Sequence, residues 1–371
     1  MGATKANAIA DNLIAPKKAP LCPADVRDRA LAPSKAARRA TLIIAGLGIV
    51  LIASICVSLM LGRYPIDPPE ALGMLIDLIP GIDLSPAWTD QQATLFFNVR
   101  LPRIVLAIMV GCCLAMAGAA YQGTFQNPLV SPDILGASQG AAFGAALAIL
   151  AGSSALGISF SAFAVSIFSV LLVLLVSSRA KGNRILVTVL AGTMISSLFS
   201  ACVSFTKLVA NPDDDLAEIT YWLMGSLNSA KMSDIVLAAA PMAVGALILF
   251  ALRWRINILT MGDDEAATMG VNAKRLRLLI ILAATLCTAA SVAVTGMIGW
   301  VGLVIPHLCR MMVGSDYRRL IPASMLLGSS FLLIVDDVAR MATTSEIPIG
   351  ILTAFVGAPF FLYLITRKKK V

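Results

Sequence analysis

Charge is what this chain has least of. Only 13% of its 371 residues are Asp, Glu, Lys or Arg, against 58% hydrophobic residues and a mean hydropathy of +0.86, which excludes a soluble domain of ordinary composition. There is one histidine, His307, so no multi-histidine metal site can form. The cysteines at 22, 56, 112, 113, 202, 287 and 309 make no C-x-x-C pair and fall mostly in apolar runs; they read as small packing residues rather than a disulfide or metal framework. No G-x-x-x-x-G-K-[ST] loop is present to cradle ATP phosphates, and no H-E-x-x-H motif or nucleophile-base pair stands in the apolar runs, which argues against a membrane-embedded enzyme. Ionisable residues in those runs, namely Asp133, Lys207, Asp336, Asp337 and Arg340, lie toward their ends. A midplane relay of the kind ion-coupled transporters keep is therefore missing.

What is present is a series of apolar segments, and the sequence predicts an all-α polytopic membrane bundle. Spans are expected at 42–62, 101–121, 134–152, 158–178, 185–208, 232–252, 275–295, 300–313, 319–340 and 348–366. The 300–313 segment is short and holds Pro306, so an eight-span reading keeps the same orientation. Residues 1–40 carry eight Lys or Arg, three Asp and four Pro with no apolar stripe. They read as a basic, disordered tail, and the long run after them reads as a first span rather than a secretory signal. A membrane-spanning domain is expected over 41–368. Residues 63–100, with five prolines and an apolar patch too short to span, read as a large loop with a short surface helix.

Ten spans put both ends on one side. Loops on the tail side carry Arg179, Lys181, Arg184, Arg253, Arg255, Lys274, Arg275, Arg277, Arg310, Arg318, Arg319 and the run Arg367–Lys370; the other side has Arg63, Arg100, Arg103, Lys207, Lys231 and Arg340. The positive-inside rule places both termini in the cytoplasm, and it also accounts for the net charge of +8 without nucleic acid.

The chain is organised around residues 100–144. An uncharged run over 104–120 is long enough for a span, and QGTFQNPLVSPD then breaks it with Gln122, Gln126, Asn127, Pro128, Pro132 and Asp133. Beyond this elbow Gly136, Gly140 and Gly144 recur every four residues, a face that lets another backbone approach. Further on, Thr193, Ser196, Ser197, Ser200 and Ser204 share one helical face. That face either lines a wet pathway or satisfies its hydroxyls on the preceding turn. Asp336 and Asp337 are placed to pair with Arg340 one turn later. In LTMGDDEAATMGVNAKRLR, residues 259–277, acids precede and bases follow a short helical stretch, in keeping with a helix dipole. Gly118–Pro128 and Gly296–Pro306 share a ten-residue offset at helix ends, too little to establish an internal repeat.

RLPR, GAAYQGTFQNPLVSPDILGASQGAAFG, YWLMGSLN, GMIGWVGLVIPHLCR, GSDYRRLIPAS and EIPIGILTAFVGAPFF together resemble the iron-siderophore, haem and vitamin B12 family of bacterial ABC importer permeases, over about residues 95–368. The resemblance implies a type II importer permease of the inner membrane, itself not an enzyme and without its own cofactor. It would work with a second permease copy, identical or related, two cytoplasmic ATPases holding ATP and Mg, and an external binding protein. It implies docking of that protein at Arg100, Arg103 and Arg340, and packing of the 259–277 loop on the ATPase through Gly262, Glu265, Ala266, Met269 and Gly270. The Thr193–Ser204 face and residues 350–360 would line the path. A ferric siderophore is the commonest cargo in such a family, with haem, cobalamin and oxyanions such as molybdate open. Where the family often has His, this chain has Tyr317; His307 reads as a packing residue. The alternative from another class is an ion-gradient-driven secondary transporter or channel.

Overall fold

The computed structural model describes residues 35–62, 64, 66–77 and 88–366. Most of the segment read as a tail, part of the loop at 63–100, Cys22 and the basic run after Thr366 lie outside the described residues. Among the described residues there is no strand. The helices are α1 (Lys35–Met60), α2 (Pro68–Asp77), α3 (Asp90–Thr124), α4 (Ala137–Leu150), α5 (Ala155–Arg179), α6 (Arg184–Val209), α7 (Asp215–Met224), α8 (Met232–Leu259), α9 (Asp263–Thr268), α10 (Ala273–Thr295), α11 (Val301–Val313), α12 (Tyr317–Met341) and α13 (Ile349–Thr366).

Seven of them, α1, α3, α5, α6, α8, α10 and α12, are long and apolar enough to cross a bilayer. The other three expected spans are helical but shorter: α4 has 14 residues and α11 has 13, about 20 Å each against a hydrocarbon core of roughly 30 Å, and α13 has 18. Two expected boundaries move. Helix α1 starts at Lys35, inside the segment read as a tail. Helix α3 starts at Asp90, inside the segment read as a loop, because Thr89 caps it reciprocally with Gln92 and a π-turn at Phe96–Arg100 carries it into the apolar run.

Helix α3 is the axis, with 78% of its apolar window buried against 17% for α1. Its small residues explain how it can be surrounded. At Gly111 it meets Gly328 of α12, and at Gly118 the carbonyl of Gly302 in α11; a Cβ at Gly111, Gly118 or Gly328 would overlap the opposing backbone. Such backbone approach replaces the hydrophobic drive that lipid does not supply between helices. Tyr121, fully buried, shares a 3.0 Å hydrogen bond with Thr285 of α10 and stacks on Phe125 at 5.8 Å.

The elbow is a short excursion rather than an exposed loop. Gln126–Leu129 are exposed, and the chain then returns inward through a 3-10 turn at Pro132–Leu135. The Pro132 ring seats on Gly302, the Ile134 carbonyl on Gly192 of α6, and Gly136 turns into α4 with φ +80°. Non-helical backbone at this depth is tolerated because protein surrounds it.

Candidate functional site

One end of the bundle holds a buried cluster of charge. Arg103 forms a forked pair with Asp336, Nε at 3.0 and 2.9 Å and Nη2 at 2.8 Å, while its Nη1 lies 2.9 Å from Glu346. Arg340 pairs with Asp337, lies 3.5 Å from Asp336 and donates to Ser58 of α1 at 3.0 Å; Ser58 in turn donates to Asp337 at 2.7 Å. Arg100 donates to the carbonyls of Leu59 and Tyr64. The three arginines are 6%, 4% and 7% exposed. The carboxylates of Asp336, Asp337 and Glu346 pair with Arg103 and Arg340, whereas buried Arg100 is held by backbone carbonyls alone. Arg100, Arg103 and Arg340, the arginines the resemblance links to docking, are buried and each is engaged by its own chain.

The α6 hydroxyls are placed differently. Thr193, Ser197, Ser200 and Ser204 are exposed and Ser196 is half-buried. Thr193, Ser197 and Ser204 donate to carbonyls three or four residues back, at 2.9, 2.9 and 3.0 Å, so most of the stripe is locally satisfied. Ser196 has no partner for its buried hydroxyl and sits against Gly136 at the tip of the elbow. The same helix exposes Met194, Leu198, Phe205 and Leu208, and nothing among the described residues covers them.

Gly136, Gly140 and Gly144 face α5. Ser169 and Ser166 crowd the first two, and Ser161 the third. The α5 hydroxyls donate across the gap: Ser169 to the Gly136 carbonyl at 2.9 Å, Ser166 to Ala137 at 2.8 Å and Ser161 to Gly144 at 2.7 Å. Close approach and hydrogen bonds therefore coincide along one seam.

At the opposite end, the 259–277 segment carries α9 between positive-φ glycines, Gly262 (φ 125°) and Gly270 (φ 75°). Ala266 is buried, whereas Glu265, Met269 and the nearby Met261 are exposed. Arg277, 6% exposed, grips Asp263 at 2.7 and 3.1 Å and reaches the Thr124 carbonyl at 3.4 Å. The Arg277 hydrogen bonds hold the Asp263 carboxyl below the usual carboxylate range. Gln126 donates to the Leu259 carbonyl at 2.7 Å. Arg310 of α11 donates to Gln122 at 2.8 Å, and Asn257 bonds Asp316 and the backbone of Tyr317.

Toward the Arg103 end, Gly225 and Gly296 seat on backbone of Met297 and Trp222, and Gly350 of α13 abuts Met224 and Met297. This seam joins the end of α7, the α10–α11 connection and the start of α13. Phe355 and Val356 of α13 are exposed. His307 is half-buried on α11, its Nδ1 unpaired. Among the described residues no cluster of metal-ligating side chains occurs.

Sequence reasoning missed Gln126, Asp263, Arg277 and Glu346 as members of these sites. Arg277 registered only as a positive loop charge, and Glu346 only as part of a motif. Nothing in a linear pattern says which carbonyl or carboxylate a long side chain will reach.

The described residues form a helical bundle with apolar spans, a glycine-seated elbow and a helical insertion between α8 and α10. The chain belongs to the FecCD transport family, whose model matches residues 50–367. It is 39% identical over 328 residues to the molybdate import system permease protein MolB of Haemophilus influenzae, covering 88% of this chain and 96% of that one. It is 40% identical over 273 residues to the cobalamin import system permease protein BtuC of Halobacterium salinarum, covering 73% of each. A solved structure assigned to the metal-chelate type of ABC transporter, in an inward-facing conformation, superposes with a TM-score of 0.78 at 39% identity over 88% of this chain and 99% of that one.

Proposed function

We propose that this chain pairs with a second permease copy to form the membrane path of an ATP-driven importer for an iron complex, a ferric siderophore first, delivered by an external binding protein. The observation that carries the pathway is the α6 face: hydroxyls at Thr193, Ser197, Ser200 and Ser204 exposed on a single chain, without a fixed charge among them. A neutral wall of this kind suits passing contact with a bulky solute rather than capture of an ion. The exposed Met261 and Met269 flanking α9 supply the apolar contact an ATPase groove would take. In this reading ten helices traverse or enter the inner membrane, both termini are cytoplasmic, α9 faces the cytoplasm and the Arg103 cluster faces outward.

Docking of acidic side chains at Arg100, Arg103 and Arg340 belongs to the same reading. Their burial sets its cost, because each guanidinium must first release an acceptor of its own chain. A molybdate-type oxyanion is the second reading, favoured by a match spanning 96% of MolB.

The test is uptake into proteoliposomes holding the permease, its ATPase and a binding protein, with a ferric siderophore and molybdate offered separately. ATP-dependent uptake that survives an ionophore supports the importer, and the accepted solute decides between the two cargoes. Uptake without the ATPase that an ionophore abolishes would replace it with the secondary-transporter reading.

A further inference from the structure

The end of α3 and the residues just beyond it are tied to the α9 segment on both sides. Before α9, Gln126 Nε2 donates to the Leu259 carbonyl at 2.7 Å. After it, Arg277 spans from Asp263, the first residue of α9, at 2.7 and 3.1 Å, to the Thr124 carbonyl at 3.4 Å. The last of these is a long, weaker bond; the fork to Asp263 is the strong one. Arg277 is buried while Asp263 is half-exposed, so the pair reaches from the bundle interior to the surface on which α9 lies.

Gln126 also stands in the left-handed region at φ 51°, where a side chain with a Cβ is disfavoured and which glycine occupies freely. The chain accepts that conformation at the residue whose side chain reaches Leu259. Just beyond it the elbow leads to Pro132 on Gly302, the Ile134 carbonyl on Gly192 and Gly136 against Ser196. The chain of contacts from α9 through Gln126 and Arg277 thus ends on the hydroxyl face of α6. Close-packed elements of this kind shift as units rather than deform.

We propose that Gln126 and Arg277 are positioning residues that convert displacement of α9 into movement of the elbow and of α6, so that both are needed for ATP hydrolysis to be spent on transport. The inference rests on the importer reading above.

Two substitutions separate this role from folding. Gln126→Gly keeps, and relaxes, the backbone conformation while removing only the side-chain tie. Arg277→Lys keeps the charge but loses the fork and cannot hold Asp263 and Thr124 together. Each is reconstituted with the ATPase and binding protein, and solute transported per ATP hydrolysed is measured beside the hydrolysis rate and thermal midpoint. Loss of a charge-assisted or well-formed hydrogen bond on this route is expected to lower the transported-to-hydrolysed ratio about tenfold, with hydrolysis within about twofold of wild type and an unchanged midpoint for Gln126→Gly. A ratio within about twofold of wild type in either variant overturns the inference alone. Wild-type vesicles that take up nothing when ATP is supplied overturn the importer reading and this inference with it.

Discussion

The Arg103–Asp336 pair shows what a single residue decides here. With exposures of 4% and 0%, neither partner has water to fall back on. Removing one leaves the other's charge buried, at a cost of about 3–5 kcal/mol. Arg103→Ala is therefore expected to lower the melting midpoint in detergent markedly, and the doubly neutral Arg103→Met/Asp336→Leu variant to recover much of the loss. By the same reasoning, reversing Arg340 to Glu would set a third carboxylate beside Asp336 and Asp337, so impaired docking in that variant would not by itself show a binding-protein contact. Asp263 is the titratable group that matters at the other end. Its folded pKa is lowered, so the tie to Arg277 is formed above the ordinary carboxylate range and weakens only as pH falls through and below it, about pH 4 and lower. The transport-to-hydrolysis ratio is expected to be flat between pH 6 and 8, and a midpoint inside that window would mean another group governs coupling.

Among the elements, the α4–α5 seam is the most sharply constrained. A Cβ at Gly144 would overlap the Ser161 carbonyl, and at Gly140 the Val165 carbonyl and Ser169 side chain. Gly144→Leu should destabilise by about 1–3 kcal/mol through overpacking, read as a lower melting midpoint. Ser166→Ala should cost about 1 kcal/mol or less, since a membrane hydrogen bond contributes modestly. The period of four in the glycines was legible because helical geometry alone places them on one face. Their partner was not, since Ser161, Ser166 and Ser169 are unremarkable residues of a neighbouring span. The elbow divides the same way: its prolines announce a break, but its return into the bundle depends on Gly192 and Gly302, far away in sequence.

For the whole molecule, the exposed α6 face and the lipid-like surface of α5 make opposite expectations. With a cysteine introduced at Ser197 or Ser204, a membrane-impermeant thiol reagent should react during turnover, whereas one at Phe168, an exposed aromatic of α5, should stay unreactive; equal reactivity would mean the α6 face is not wet. Topology is checked by reporters inserted after Lys181 and after Asn228: the first is expected to report cytoplasm and the second the outside, and the reverse result inverts the orientation.

Composition and hydrophobic periodicity alone determine that this is an α-helical membrane protein, the middle of each long apolar helix and which faces are small, polar or charged, because these follow from local geometry and from the cost of polar groups in hydrocarbon. The same local logic placed Asp336 and Asp337 beside Arg340. What only the tertiary structure decided is whom each side chain meets: that Arg103 closes on Asp336 and Glu346, that Arg277 and Gln126 bind the α9 segment to the end of α3, and that Arg100, Arg103 and Arg340 are enclosed. Those pairings join residues from fourteen to more than two hundred positions apart, and only the packing of whole helices brings them within reach.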